Sequence, residues 1–211
     1  MANILKVTPQ EVTEKAKALS NYRATLAKQF VQRVGQELAF LDMPQVQLAV
    51  QFTPGKLTMH GMETAEFLIS ANAGEPPKPI AKIASGGELS RMMLALKAVV
   101  GDRDEIPTMI FDEIDTGVSG RAAQKIGIKL RQIGSMRQVL CVTHLSQIAV
   151  MAEHHLLIEK RTVQNRTETS VTVLDFAGRV REIARIMGGE NPSRLMLETA
   201  EAELRSAMQK P

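Results

Sequence analysis

From residue 85 onward the sequence switches repeatedly between two hydrophobic patterns, and this switching limits the fold more than any other feature of the 211-residue chain. Leu89, Met92, Met93, Leu96, Val99 and Val100 recur at helical spacing, and Met109-Ile110-Phe111 follows as a short unbroken apolar run. Ala122, Ala123, Ile126, Leu130 and Ile133 mark a second helical face, and Val139-Leu140-Cys141-Val142 a second run. A strand that is apolar at every position has both faces buried, as central parallel strands have when helices lie on either side. The pattern predicts an α/β fold, with a mainly parallel sheet covered by helices. Residues 156–158 and 169–174 read as later strands. Two helices close the chain: one ends at Gly188-Gly189, and the other opens at Asn191-Pro192, an N-cap followed by a first-turn proline.

The first third is different. Thr8, Pro9 and Glu11 supply an N-cap, a first-turn proline and a capping-box acid. Val12, Ala16, Leu19, Tyr22, Leu26, Phe30, Val34, Leu38 and Leu41 then recur at three- and four-residue steps, and no proline interrupts before Pro44. So long a helix is either the root of a coiled-coil arm or an amphipathic helix lying on the domain. Val46, Leu48, Val50 and Phe52 alternate with polar neighbours, which predicts a half-buried strand broken at Thr53-Pro54-Gly55. A second strand is expected over 66–71, and Gly74-Glu75-Pro76-Pro77-Lys78-Pro79 reads as a stiff surface loop. The chain thus divides into a long helix, 1–42, and a lobe, 43–211.

Composition narrows the function classes. Tryptophan is absent and aromatic residues make up 3%, so the core must be aliphatic, with flexible methionines filling gaps. A net charge of +3 permits an anionic partner without requiring one. Cys141 is the one cysteine, which precludes an internal disulfide and fits a reducing compartment. No leader and no bilayer-length apolar run is visible, so a cytoplasmic chain without a membrane partner is expected.

Four clusters could carry chemistry. Ser85-Gly86-Gly87-Glu88-Leu89-Ser90-Arg91 opens a helix; paired glycines admit a phosphate close to the backbone, and the helix start offers it N–H groups. The same Ser85 and Glu88 have capping-box spacing, and alone they read first as a helix cap. Thr108-Met109-Ile110-Phe111-Asp112-Glu113 ends a buried strand in two carboxylates, at the end of the sheet where ligands collect. One could hold Mg²⁺ through water and the other could polarise a water molecule; acids are also common at strand ends without such a role. Asp115-Thr116-Gly117-Val118-Ser119-Gly120 reads by itself as a turn with Ser119 as a helix cap. His144, after Val142-Thr143, could contact a phosphate or be structural. His60 and the pair His154-His155 have no comparable setting.

In their order these clusters resemble the motifs of ABC-type ATPases. Ser85-Gly86-Gly87-Glu88 is similar to the ABC signature, 108–113 to Walker B, and Thr116, Gly117, Val118 and Ser119 fall at the D-loop, while His144 falls at the switch histidine. The phosphate-gripping loop, Gly-four residues-Gly-Lys-Ser/Thr, has no match in the chain. That layout resembles SMC-like proteins, in which a coiled coil separates the halves of the ATPase head. The wording from Ile83 to Arg91, the D-loop with Ser119 where other SMC proteins usually have aspartate, Cys141-Val142-Thr143-His144-Leu145-Ser146-Gln147-Ile148-Ala149 and the tail from Glu182 to Gly189 look most like the RecN family, over residues 43–205.

The resemblance implies a C-terminal lobe of a head in which two heads sandwich two ATP molecules. Ser85, Gly86, Gly87 and Glu88 would meet the ATP held by the other head. Asp112 would help hold Mg²⁺, Glu113 would act on the attacking water, and His144 would contact the γ-phosphate. Thr116 to Ser119 would communicate across the dimer. The implied partners are the N-terminal phosphate-loop half, a second head and DNA; the implied setting is the nucleoid, in double-strand break repair and recombination. Arg121, Lys125 and Lys129 share a helix that could face DNA, but the stripe reads first as a solvated helix face. Half of another SMC-like ATPase, or a non-catalytic interaction module, remain alternatives.

Overall fold

The computed structural model describes residues 8–70, 74–82, 86–101, 105–163 and 166–209, with the side chains of Arg161 and Val163 left aside. The chain forms two compact units: one from the first 85 residues together with 95–100, the other from 86–94 and 101 onward.

The first unit begins with α1 (Pro9–Phe40). Its start follows the capping box: Thr8 Oγ1 accepts the Glu11 N–H at 3.3 Å, and Glu11 Oε2 accepts the Thr8 N–H at 2.7 Å. Ala16, Val34 and Leu38 are buried, while Val12, Leu19 and Leu26, spaced seven residues apart, stay partly exposed. β1 (Gln47–Thr58), β2 (Gly61–Ser70) and β3 (Lys78–Pro79) form an antiparallel sheet in that order. Leu48 faces Ile69 across β1 and β2, and both are buried, as the alternation predicts. Phe30 of α1 lies against Phe67 of β2 at 5.6 Å between centroids.

Three expectations change here. β1 is not broken at Pro54: it runs on to Thr58 with a shift of register between Pro54 and Thr58. β1 is an edge strand, where a proline's missing N–H costs no ladder bond. β2 starts at Gly61, five residues before the expected 66, because the longer β1 gives those residues partners. Part of the proline loop pairs as β3. Ala71, the expected end of β2, lies outside the described residues.

The second unit holds the α/β pattern. The first turns of α2 (Gly86–Val100) belong to it, followed by β4 (Thr108–Phe111), α3 (Gly120–Gly134), β5 (Gln138–Cys141) and the short α4 (Ser146–Ala149). β4 and β5 pair in parallel, Ile110 opposite Leu140 and Phe111 opposite Cys141. Ala123, Ile126, Leu130 and Ile133 form the buried face of α3, as expected from their spacing. β6 (Leu156–Val163) and β7 (Arg166–Val173) pair antiparallel with each other. α5 (Phe176–Gly188) and α6 (Arg194–Gln209) close the chain around Ala149, Val150, Ile183, Ala184, Ala200 and Leu204, which form one core cluster. α6 begins after Ser193, whose Oγ accepts the Met196 N–H at 3.3 Å, not at Asn191-Pro192. A hydroxyl already placed to take that donor sets the start two residues later. Among the described residues no helix is long and apolar enough to cross a membrane.

Candidate active site

β4 and β5 end side by side, and the ladder continues one step beyond them, with the Val142 N–H donating to Phe111 O at 3.0 Å. This register brings Asp112-Glu113 and Thr143-His144 to the same end of the sheet. They line an open cleft of ≈ 230 Å³ together with Asp115, Thr116 and Val142. Ligands gather at the carboxyl ends of parallel strands for this reason: the chain turns away there and leaves side chains converging.

The turn after β4 is tight. Asp112 accepts the Glu113 N–H on Oδ1 at 2.9 Å, and the Glu113 carbonyl accepts the Thr116 N–H at 3.1 Å. Glu113 itself has φ +57°, the left-handed region that a side chain enters at a cost of about 1–2 kcal/mol. Its side chain is exposed, and no ion pair among the described residues holds it. Its carboxylate instead lies against the first residue of α2: a Cβ on Gly86 would collide with Glu113 Oε2.

Gly87 has backbone against it. A Cβ there would sit 2.9 Å from both Cβ and O of Thr116 and 3.2 Å from the Glu113 carbonyl. The double glycine is therefore what lets the start of α2 lie on the turn 113–116. Gly87→Ala is expected to destabilise the chain by about 1–3 kcal/mol by overpacking, read as a lower thermal midpoint. An unchanged midpoint would mean that the helix start can move away freely. Two side chains fix the same approach from within α2. Ser90 Oγ donates to Asp112 O at 2.9 Å, and Arg91 Nη1 donates to Thr116 O at 2.9 Å.

His144 is held by Asp115. This carboxylate is 4% exposed, and its Oδ2 takes the Thr143 hydroxyl at 2.6 Å, the His144 N–H at 2.9 Å and lies 3.1 Å from His144 Nδ1. A carboxylate facing Nδ1 keeps the proton on that nitrogen and directs Nε2 outward as the chemically available one. The imidazole is 74% exposed, so Nε2 can reach a ligand in the cleft.

The sequence-predicted residues fall out as follows. Asp112, Glu113, Thr116 and His144 line the cleft, and Gly86 and Gly87 abut it. Glu88 is half-buried in the first turn of α2. Ser85, with Ile83 and Ala84, lies outside the described residues. Gly117, with φ +74°, Val118 and Ser119 lead out of the cleft into α3. Ser119 does occupy the N-cap position of α3, but its side chain makes no capping hydrogen bond. Cys141 is partly buried at the end of β5: burial, with Asp115 and Asp112 nearby, pushes its thiol up to about 12, so it is not a nucleophile at neutral pH. Three participants were missed: Asp115, Ser90 and Arg91. The one available signal was their presence inside the motifs themselves.

The donor set suits a hydrated Mg²⁺. Asp112 is an exposed carboxylate at the cleft mouth, and Mg²⁺ binds through one or two carboxylates plus phosphate and water oxygens. No cluster of three or more His, Cys, Asp or Glu able to cage a metal occurs among the described residues, and such a site needs none. The glycine start of α2, where any Cβ collides, is a surface on which backbone N–H groups can face an anion.

The chain shares its fold with part of solved SMC head domains. The structure superposes on the SMC head domain with coiled coil and joint from Pyrococcus yayanosii with a TM-score of 0.55 at 19% identity, covering 93% of this chain and 32% of that one. It also matches an SMC head crystallised with the C-terminal winged-helix domain of ScpA, with a TM-score of 0.51 at 18% identity, over 82% of this chain and 53% of that one. The chain belongs to the RecN family. It is 41% identical over 197 residues to the DNA repair protein RecN of Haemophilus influenzae and 38% identical over 216 residues to that of Bacillus subtilis, matches that take in 92% and 95% of this chain. It spans a little over a third of the length of these curated relatives, 35% and 38% respectively. No family model matches the chain.

Proposed function

We propose that this chain is the C-terminal part of an ATP-hydrolysing head that works in DNA double-strand break repair and recombination, and that it acts only when joined to a phosphate-loop half. The observation that carries this reading is the convergence of Gly86-Gly87, Asp112-Glu113 and His144 on one end of a parallel strand pair, with the acid exposed.

Phosphoryl transfer asks a protein mainly for positioning and charge stabilisation. Glu113 accepts a proton from the attacking water, and His144 donates from Nε2 to a γ-phosphate oxygen. Asp112 would hold Mg²⁺, which when bound supplies charge neutralisation at the phosphate oxygens. Ser85, Gly86, Gly87 and Glu88 meet the nucleotide carried by a second head, and Thr116 to Ser119 face that head. Because Glu113 lies against Gly86 of its own chain, its carboxylate must leave when the other head's phosphate arrives. DNA is engaged by the full-length protein through Lys and Arg, so that contact weakens as salt rises.

The surface supports an absent half. Ile110, Leu140 and Val142, on one face of β4 and β5 and just beyond it, are 70%, 42% and 53% exposed. A parallel pair normally has both faces covered. The seven-residue stripe Val12, Leu19, Leu26 on α1 supports assigning 1–42 to the root of a coiled-coil arm. Mixed with the phosphate-loop half of the same protein, this chain is expected to associate far more tightly with ATP than without it, and alone to show no measurable turnover. Robust hydrolysis by the purified chain, or association indifferent to nucleotide, would overturn the reading and favour an interaction module.

A further inference from the structure

Arg91 is 7% exposed, and among the described residues it forms no ion pair with a carboxylate. Its Nη1 donates to Thr116 O at 2.9 Å and lies 3.4 Å from Ile114 O, while its Nε is buried with no partner. Burial holds the guanidinium below its ordinary range, against a smaller opposite influence from Glu88 one turn earlier. An apolar chain of similar length would fill this space without burying a charge or leaving Nε unmet, but it would leave the Ile114 and Thr116 carbonyls without this donor. The cost of burying the charge and an unmet Nε works against the two carbonyl hydrogen bonds, so the arginine is a poor choice for stability alone. Its effect is geometric. It binds the turn 114–116 to the helix whose first residues are Gly86-Gly87, and Asp115, inside that turn, holds His144.

We propose that Arg91 is a positioning residue that makes the start of α2 and the turn 114–116 move as one piece. A phosphate arriving at Gly86-Gly87 from the second head then shifts Thr116, and through Asp115 sets the angle of His144. Binding at the helix start and readiness at the histidine become one event. The inference rests on the two-head reading given above.

The test uses the full-length protein as wild type, Arg91→Met and Arg91→Lys. Thermal unfolding, ATP binding by the monomer, ATP-dependent dimerisation by light scattering and steady-state turnover are measured together. Arg91→Met is expected to stay folded at the assay temperature and to bind ATP normally, but to lose about tenfold or more in both dimerisation and kcat, a loss typical of a coupling between sites. Arg91→Lys, able to reach one carbonyl only, is expected to fall between. Wild-type dimerisation and turnover in a folded Arg91→Met overturn the proposal and leave the two-head reading standing. If Arg91→Met does not fold, Arg91→Lys decides: reduced kcat at an unchanged KM supports the proposal, and wild-type kcat overturns it. A wild-type protein that fails to dimerise with ATP removes both.

Discussion

Glu113→Gln, placed in the full-length protein, is expected to lower ATP turnover by about a hundredfold or more, the range for losing a general base, while ATP binding stays near wild type. Glutamine keeps the length and planarity of the side chain, so the turn at φ +57° and the approach to Gly86 are preserved. What it cannot do is take the proton of the attacking water. Interactions that hold ATP in the ground state are untouched, so KM should barely move and kcat should carry the loss. With hydrolysis slowed, the ATP-bound dimer should accumulate and be visible by light scattering. Phosphate release at the wild-type rate would mean that the proton leaves by another group, and Asp112 or His144 would then have to be considered in that role.

The second large effect is expected at Asp115, and on stability. One buried oxygen satisfies the Thr143 hydroxyl and the His144 backbone N–H, and lies beside the His144 ring. Asp115→Ala removes that acceptor and leaves two part-buried donors without a protein partner. Unsatisfied buried polar groups cost about 1–3 kcal/mol each, so a loss of about 2–4 kcal/mol is expected in urea unfolding of this chain. Asp115→Asn retains one acceptor oxygen and should recover part of that stability. In the full-length protein it should still lower kcat, because a neutral amide no longer fixes the Nδ1 proton of His144. An Asp115→Ala chain with the wild-type unfolding midpoint would show that this carboxylate holds nothing together.

Most of what is local was legible. The Thr8-Pro9-Glu11 capping box lies within four residues and forms as written. The two unbroken apolar runs became the parallel pair, and on the α3 face Ala123, Ile126, Leu130 and Ile133 came out buried while Ala122 is only half-buried. The parts of the candidate site that could be read were those carried by neighbours in sequence: Gly86-Gly87 at a helix start and Asp112-Glu113 at a strand end. Asp115 could not be read in this way. Its partners are 28 and 29 residues away, and only the register of β4 against β5 brings them to it. In sequence it is one more acid before a Thr-Gly turn. Arg91 was hidden similarly: at helical spacing it falls next to Met92 and Met93, and nothing local says that its head is buried on backbone carbonyls 23 and 25 residues ahead. Pro54 misled because a strand-breaking residue was weighed without knowing that its strand is an edge.

The left-handed backbone at Glu113 has a consequence for how this position can vary. Glycine would relax the turn at once, and asparagine would tolerate it better than most residues. Neither offers a carboxylate. The backbone at 113 thus favours residues other than the glutamate to which the proposed chemistry assigns the proton. A lineage selected for heat resistance alone would shed the acid long before it lost the sheet.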